Sequence, residues 1–257
     1  EQTERFRAQA NRVIPVPNLR YELSAIAARF YGDPTRNMGL VAITGTNGKT
    51  SCCQFIAQAL EMGKRRCGVV GTLGYGEVDA LHDTGMTTPD AISVQRILAE
   101  LANQGFEIAA MEVSSHALEQ GRVSAVHVDT AVFTNLSRDH LDYHKDMQAY
   151  GAAKQQLFLM PGLNNAVINV DDDFGRHIAG QLPDGVNLYR YGLDEHGGEI
   201  KARNIRVSSQ GIQASISSPW GQGILTSHLL GRFNLRNLLA VFTVLCLQGF
   251  DVAAALA

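Results

Sequence analysis

The sequence has few cysteines, little net charge and no long apolar run, and each shortage excludes a class of protein. Its 257 residues carry a net charge of -3, which gives no reason to expect nucleic acid or a membrane surface as a partner. The four cysteines, at positions 52, 53, 67 and 246, lack the spacing of a metal site, and the adjacent pair cannot form an ordinary disulfide. No apolar run reaches membrane-spanning length. We therefore expect a cytoplasmic globular protein, most simply a monomer.

Apolar runs of strand length alternate with helical patterns over most of the chain. Strands are predicted at residues 40–44, 67–71, 107–113, 130–134 and 166–170. Helices are predicted at 18–31, 51–62, 89–104, 146–160 and 172–181. Thr88 is the predicted N-cap of the helix at 89–104. Apolar strands separated by helices imply a parallel sheet covered on both faces. We expect an α/β three-layer sandwich around a mostly parallel central sheet of P-loop type.

The pattern changes after residue 189. Short or alternating apolar runs at 200–207, 212–217 and 224–230 are separated by turn residues, which predicts an antiparallel meander appended to the sheet. A helix at 234–247 follows. In parallel sheets, ligands bind at the carboxyl ends of the strands. The polar motifs that follow predicted strands should therefore lie near one another.

Residues 40–51 are the most informative segment. A short apolar strand enters a glycine loop, and the loop leads into a helix, which is how proteins cradle phosphate with main-chain N–H groups and a helix N-terminus. Lys49 would contact the β- and γ-phosphates, and the Thr50 hydroxyl would bind Mg²⁺. Two residues, rather than the usual four, separate the glycines. The predicted nucleotide-binding residues here are Gly45, Thr46, Asn47, Gly48, Lys49, Thr50 and Ser51.

Two further strands end in groups that could bind a metal ion. Glu112 closes an apolar strand and could bind Mg²⁺ beside Thr50, since hard cations take carboxylate oxygens. It could instead cap a helix or pair with a lysine. His140 follows another strand and lies between two acids, as a ligand would, although a lone histidine can also be purely structural. We expect His144 on the surface.

Lys154 and a pair of asparagines have two interpretations each. Lys154 shares a helix face with Tyr150 and Phe158, so it either reaches out to solvent or is a desolvated lysine with a lowered pKa. In the second case its neutral amine could react with CO₂ to give a carbamate, an anionic metal ligand. Asn234 and Asn237 lie one helical turn apart and could contact a purine. They could equally be an N-cap and a polar surface residue.

Taken together, these motifs resemble the Mur ligase family of peptidoglycan synthesis over roughly residues 38–257. Within that family, the chain is most similar to the members that add the third peptide residue, diaminopimelate or lysine. The segments that carry the resemblance are GTNGKTS (45–51), TTP (87–89), MEVSSHAL (111–118), QGR (120–122), TNLSRDHLDYH (134–144), AAK (152–154), NVDD (169–172) and GRFNLRN (231–237). Their joint order is highly specific.

The resemblance implies a role for each candidate residue. Lys49 and Thr50 would serve ATP and Mg²⁺, with Glu112 as a further metal ligand. His140 and a carbamylated Lys154 would hold a second Mg²⁺. Adenine would contact Asn234 and Asn237. The muramoyl-peptide substrate would contact Thr87, Thr88, Ser114, Gln120 and Arg122, the last through its planar guanidinium fork.

The implied reaction is ATP-dependent formation of an amide bond through an acyl phosphate, with diaminopimelate favoured as the amino acid. Residues 1–38 are expected to be the tail of an N-terminal UDP-binding domain or a linker, and 39–257 the central ATP-binding domain. Without a C-terminal domain, this piece should be weakly active or inactive alone. Two alternatives remain: a nucleotide-binding module without ligase activity, and an enzyme resembling folylpolyglutamate synthetase.

Overall fold

The computed structural model describes residues 15–193 and 198–257 of the chain. Its centre is a mixed β-sheet whose strands lie between residues 39 and 227. Its strand order is β11-β10-β9-β8-β7-β6-β1-β5-β2-β3-β4. The strands are β1 (Gly39–Thr44), β2 (Cys67–Gly71), β3 (Gly74–Glu77), β4 (Ala80–His82), β5 (Ile108–Glu112), β6 (Thr130–Phe133), β7 (Asn165–Asn169), β8 (Asn187–Gly192), β9 (Ile200–Ser208), β10 (Gly211–Ser218) and β11 (Gly221–Ser227).

The centre of the sheet is parallel and its two margins are antiparallel. Strands β2, β5, β1, β6, β7, β8 and β9 pair in parallel, in that spatial order. Strands β9, β10 and β11 form the predicted antiparallel meander. The α/β fold class is thereby confirmed. The hairpin β3–β4 and the strand β8 were not predicted, because β3 and β4 are very short and β8 is rich in polar residues.

Helices cover both faces of the sheet. They are α1 (Leu19–Phe30), α2 (Lys49–Met62), α3 (Ala91–Asn103), α4 (Ser115–Glu119), α5 (Met147–Gln155), α6 (Asp173–Ala179), α7 (Arg232–Leu247) and α8 (Val252–Leu256), with 3₁₀ turns at Pro34–Arg36 and Gln156–Leu159. Within the described ranges, no helix combines the length and apolar character needed to span a membrane.

The predicted cap of α3 is wrong. The N-cap is Asp90, whose carboxylate accepts hydrogen bonds from the main-chain N–H of Ile92 at 3.0 Å and of Ser93 at 3.1 Å. Thr88 is buried, and its hydroxyl donates to the main-chain oxygen of Glu112 at 2.9 Å. A side chain already engaged with a strand end is not available to a helix two residues later. The carboxylate that follows it caps the helix instead.

Two apolar cores lie on opposite faces of the sheet. Alternate residues of a strand point to opposite faces, so Val41 and Ile43 of β1 belong to one core and Leu40 and Ala42 to the other. Helices α2 and α7 pack on the first face, and α3 packs on the second. Because the central strands are buried on both sides, functional groups reach solvent where the strands end.

Candidate active site

The loop between β1 and α2 has the shape predicted for a phosphate cradle. Gly45 has φ of 147° and Gly48 has φ of 89°, conformations that favour glycine. A Cβ atom on Gly45 would lie 1.9 Å from Oγ1 of Thr134, and one on Gly48 would lie 2.5 Å from Oδ1 of Asn237. Both glycines are therefore required by backbone conformation and by close contact with neighbouring elements.

The end of β6 holds this loop in place. The main-chain N–H of Thr46 donates to the main-chain oxygen of Asn135 at 2.8 Å, and the N–H of Asn47 donates to Oδ1 of Asn135 at 3.1 Å. The hydroxyl of Thr134 donates to the carbonyl oxygen of Asn47 at 2.6 Å. Residues at the end of β6 thus hold the loop by three hydrogen bonds.

Two lysines, the half-buried Lys49 and the buried Lys154, share a single acceptor on the loop. Nζ of Lys49 donates to the carbonyl oxygens of Gly45 at 2.8 Å and of Thr46 at 2.9 Å. Nζ of Lys154 donates to the same Gly45 oxygen at 2.9 Å. Two cations held on one neutral carbonyl repel each other, and an anionic ligand such as a phosphate would relieve that repulsion.

Burial lowers the pKa of both amines. For Lys154, burial and then the nearby charge of Lys49 lower the pKa from 10.5 to about 7. Burial also lowers the pKa of Lys49, against the opposing charge of Glu112. The side chain of Lys154 is 1% exposed, and its Nζ lies 4.4 Å from the centre of the Tyr150 ring. The solvent-reaching alternative for Lys154 is therefore wrong, and the amine is buried as the other alternative requires.

Glu112 lies on the other side of the loop, 1% exposed. Its Oε2 accepts a hydrogen bond from the Thr50 hydroxyl at 3.0 Å, and its Oε1 accepts one from the N–H of Thr72 at 2.8 Å. Thr50 belongs to the first turn of α2, and the charge of Glu112 acts on Lys49, so the two structural alternatives stay open beside the metal role. Adjacent carboxylate and hydroxyl oxygens are ligands that Mg²⁺ prefers.

The donor groups near the loop suit a metal ion that also binds phosphate oxygens. Among the described residues, no three His, Cys, Asp or Glu side chains converge on one point. A magnesium ion held there would need hydroxyl, phosphate or water oxygens in addition to Glu112, as Mg²⁺ commonly does at nucleotide sites. The Thr50 hydroxyl is placed to supply one such oxygen.

His140 is exposed beside a cluster of aromatic rings. Its ring is 6.0 Å from that of Tyr150 and 5.1 Å from that of His116, between ring centres. Its Nε2 is 3.5 Å from a carboxylate oxygen of Asp139. His116 and Tyr150 were missed at the sequence level because their helices place them beside His140 only in the folded chain.

The prediction for His144 is wrong. Its ring is buried, and its Nε2 lies 2.8 Å from the Ser115 hydroxyl. Burial, followed by the charge of Lys154, lowers its pKa. The chain turns after His140, with the N–H of His144 donating to the carbonyl of His140 at 2.9 Å, and this turn folds the ring inward.

A cleft of about 480 Å³ opens beside the loop. Its lining comes from the loop, from the ends of β6 and β7 and from the start of α7: Asn47, Gly48, Ser51, Thr134, Asn135, Asn169, Asp171, Asp172, Phe233, Arg236 and Asn237. Asn237 lines it as predicted. The amide of Asn234 donates to the carbonyl of Leu230 at 2.9 Å, and Asn234 is not part of the lining. Gly231, rather than Asn234, is the N-cap of α7.

An ion pair in the cleft was not predicted. Nε of Arg236 lies 2.7 Å from Oδ2 of Asp171, and both oxygens of that carboxylate accept the N–H of Leu193 at 3.1 Å. The two charged residues belong to the NVDD and GRFNLRN segments. The motifs could have suggested that Asp171 and Arg236 are neighbours, but not that they pair.

The predicted substrate-contacting residues form one network next to Glu112. Nη1 of Arg122 donates to the carbonyl of Thr88 at 2.7 Å, and its Nε donates to Oε1 of Gln120 at 3.0 Å. The N–H of Ser114 donates to the hydroxyl of Thr88 at 3.0 Å. The hydroxyl oxygens of Thr87 and Thr72 lie 3.0 Å apart, within hydrogen-bond distance. All five predicted residues thus lie around the end of β5.

Comparison with known proteins gives a family match. The family description "Mur ligase middle domain" matches residues 43–245. The chain is 51% identical over 239 residues to a UDP-N-acetylmuramoyl-L-alanyl-D-glutamate--2,6-diaminopimelate ligase of Coxiella burnetii, covering 91% of this chain and 49% of that protein. It is 52% identical over 240 residues to the protein of the same name from Pseudomonas aeruginosa, covering 93% and 49%.

A solved structure gives the same result. A protein described as UDP-N-acetylmuramoyl-L-alanyl-D-glutamate--2,6-diaminopimelate ligase superposes with a TM-score of 0.88 and 34% sequence identity. The match covers 96% of this chain and 51% of that one. The chain therefore spans about half the length of the relatives it matches.

Proposed function

Because the chain belongs to the Mur ligase middle-domain family, we propose that it is the ATP-binding part of an amide ligase of peptidoglycan precursor synthesis. The proposed reaction joins 2,6-diaminopimelate to UDP-N-acetylmuramoyl-L-alanyl-D-glutamate in the cytoplasm. The observation that carries this proposal is the convergence of Lys49, Lys154 and the Thr50–Glu112 pair on one glycine loop. A module that merely binds nucleotide would not need the second lysine or the buried carboxylate.

The nucleotide would lie along the cleft, with its phosphates on the loop. The N-terminus of α2 and Lys49 would bind the phosphate oxygens. Asn237 would contact the adenine, together with Asn234 if its amide leaves the carbonyl of Leu230. Magnesium held by Thr50 and Glu112 would neutralise charge on the transferred phosphoryl group, as metals do in phosphoryl transfer.

Lys154 is proposed to act as a carbamate. Its uncharged Nζ would attack the carbon of CO₂, forming an N–C bond while one proton leaves to solvent. With the pKa of Lys154 near 7, a substantial fraction of the amine is uncharged at neutral pH. The product would carry a negative charge beside Lys49, which replaces the repulsion between two cations by attraction. The carbamate and His140 would then be ligands for a second magnesium ion.

The network around β5 would hold the dipeptide substrate. The end of β5, where Glu112 lies, is bordered by the five predicted substrate-contacting residues: Thr87, Thr88, Ser114, Gln120 and Arg122. The guanidinium of Arg122 would pair with an anionic group of the substrate. A carboxylate placed between this network and the phosphate loop could attack the γ-phosphate of ATP, forming an acyl phosphate and ADP. The amino group of diaminopimelate would then displace phosphate.

Phosphate release by the full-length protein tests this function. The protein is incubated with ATP, Mg²⁺ and the UDP-muramoyl dipeptide, and diaminopimelate and lysine are added in turn. We expect release that depends on both the dipeptide and diaminopimelate. Nucleotide binding without release in any mixture would favour the binding module, and release with a pteridine-glutamate substrate instead would favour a folylpolyglutamate synthetase-like enzyme.

A second measurement tests the carbamate separately. We expect intact-protein mass spectrometry under mild conditions to show a gain of one CO₂ that disappears in Lys154→Met. An unmodified mass after incubation with bicarbonate would contradict the carbamate and leave the ligase assignment standing.

A further inference from the structure

The hydroxyl group of Thr72 connects the two halves of the candidate site. Thr72 follows β2 directly, and its hydroxyl lies 3.3 Å from Oε2 of Glu112 and 3.0 Å from Oγ1 of Thr87. The hydroxyl of Thr50 donates to the same Oε2 at 3.0 Å. A continuous chain of hydrogen bonds therefore runs from the phosphate loop to the segment that contains Thr87.

The main chain holds Thr72 in position independently of its side chain. Its N–H donates to Oε1 of Glu112 at 2.8 Å. The preceding residue, Gly71, approaches the carboxylate so closely that a Cβ there would lie 2.3 Å from Oε1. Thr72 itself is exposed. The hydroxyl of Thr72 can therefore be removed without opening a cavity and without breaking the main-chain hydrogen bond to Glu112.

A threonine hydroxyl has one proton, and two acceptors compete for the proton of Thr72. An ionised carboxylate is a stronger acceptor than a neutral hydroxyl, so Oε2 of Glu112 has the advantage while no cation is bound. A divalent cation at that oxygen would occupy its lone pairs and favour donation by Thr72 to Thr87. Thr87 would then be free to point its own proton at a ligand.

We infer that Thr72 is a positioning residue that couples cation binding at Glu112 to binding of the dipeptide substrate at Thr87. This inference rests on the proposed function. Binding of either ligand alone does not require the coupling. Because such coupling is reciprocal, Mg²⁺ should tighten dipeptide binding by the same factor by which the dipeptide tightens Mg²⁺ binding.

Calorimetric titration of the full-length protein, without nucleotide, measures the coupling directly. The dissociation constant of the UDP-muramoyl dipeptide is determined with and without Mg²⁺, and the ratio of the two values is the readout. We expect a ratio of about five to ten in the unmodified protein. Thr72→Val should bring the ratio close to one while dipeptide and Mg²⁺ each still bind.

Three further variants separate coupling from local damage. Thr72→Ser retains the hydroxyl, so the ratio of dissociation constants should equal that of the unmodified protein. Thr84→Val is a matched control, because the Thr84 hydroxyl lies nearby but donates to the carbonyl of Met86 at 2.6 Å; it should also keep the ratio. Thr87→Val interrupts the chain of hydrogen bonds at its other end. It should bring the ratio of dissociation constants close to one, whatever its effect on the affinity for the dipeptide.

The outcomes distinguish this inference from the function on which it rests. An unchanged ratio in Thr72→Val would overturn the coupling role, as would a ratio of one in the unmodified protein that binds both ligands. Either result would leave the ligase proposal intact. Failure of the unmodified protein to bind the dipeptide at all would overturn both.

Discussion

The carboxyl edge of the central strands and the antiparallel strands β9–β11 belong to one sheet but bury different kinds of side chain. At the carboxyl edge, polar and charged groups are buried, including Thr44, Thr88, Glu112, Ser115, Thr134, His144, Lys154 and Asn169. Among the described residues of β9–β11, the buried side chains are apolar, such as Ile200, Ile212 and Leu225. The carboxyl edge of the central strands therefore buries polar groups, whereas the meander buries apolar side chains in the core.

This difference follows from where hydrogen-bond partners can be found. A buried polar group is tolerated when it is hydrogen-bonded, and strand ends and loops supply free main-chain groups. Lys154 uses the carbonyl of Gly45, and Asn169 donates to the carbonyl of Thr134 at 2.7 Å. Within a β-ladder, the main-chain N–H and C=O groups are already paired with neighbouring strands. Substitutions matched between the two regions should therefore have different effects.

The largest difference is expected for lysine. We expect Lys49→Ala to reduce phosphate release by about a hundred- to a thousandfold, because the phosphates lose a preorganised cation in a desolvated site. Lys201→Ala, on β9 of the meander, should leave phosphate release unchanged. Both rates are measured in the full-length protein at saturating ATP. Equal activity in the two variants would show that the phosphate loop has been misplaced.

The pH dependence of stability should reveal the buried amine. The pKa of Lys154 is about 7 in the folded state and 10.5 in the unfolded chain, so between these values the unfolded state binds more protons. The stability of the unmodified chain should rise with pH across that window. Below about pH 7 the buried cation is destabilising, and Lys154→Met should be more stable by a few kcal/mol.

Urea unfolding at several pH values, in buffers free of CO₂, measures this effect. The advantage of Lys154→Met should shrink as the pH rises from about 7 towards about 10. Lys201→Met provides the baseline for replacing a lysine elsewhere in the sheet. If the free energy of unfolding of Lys154→Met, relative to the unmodified chain, instead increased with pH, the pKa of Lys154 would be raised and not lowered.

Two glycines with the same φ angle test the effect of a close contact at the carboxyl edge. Gly48 and Gly185 both have φ of 89°, but a Cβ on Gly48 would lie 2.5 Å from Asn237, whereas one on Gly185 would have no neighbour within 4 Å. We expect Gly185→Ala to cost about 1 kcal/mol from backbone strain alone. Gly48→Ala should cost about 1–3 kcal/mol more because of overlap. Equal free energies of unfolding would show that Asn237 moves aside freely.

The smallest difference is expected for ion pairs. Asp171 of the cleft is 8% exposed and pairs with Arg236, so Arg236→Gln should destabilise the fold by about 1–2 kcal/mol by leaving the carboxylate without its cation. Nε of Arg190 bonds to Glu199 at 2.9 Å in an exposed pair, and Arg190→Gln should cost under about 1 kcal/mol. Urea unfolding compares them, and a larger loss for Arg190→Gln would reverse the comparison.

The sequence predicted the shape of the strand–glycine loop–helix unit well because its signal is local. The strand, the two glycines and the Lys-Thr pair are consecutive, and the loop starts where β1 ends at Thr44. The apolar strands and the meander were also predictable, because periodicity and turn residues report them directly. Predictions that depended on partners far along the chain were less successful. Thr88 was assigned to a helix cap because its bond to Glu112, 24 residues away, leaves no local trace.

Histidines illustrate the same limit. A histidine among acids at a strand end suggested a ligand at His140 and a surface residue at His144. The folded chain buries His144 against Ser115, which lies 29 residues earlier. Whether a side chain near a loop points inward depends on the path of the turn, which residue type alone does not report. The roles proposed for all of the nucleotide-, metal- and substrate-contacting residues stay predictions.

By itself, the sequence determined where strands and helices alternate and where a glycine loop joins β1 to α2, because these depend on neighbours within a few residues. The tertiary structure decided that Lys49 and Lys154 share the carbonyl of Gly45, and that Glu112 links Thr50 to Thr72. The physical reason is that burial and charge act through space. A lysine has an ordinary pKa in an extended chain, and it loses that pKa when folding removes water and brings a second cation beside it.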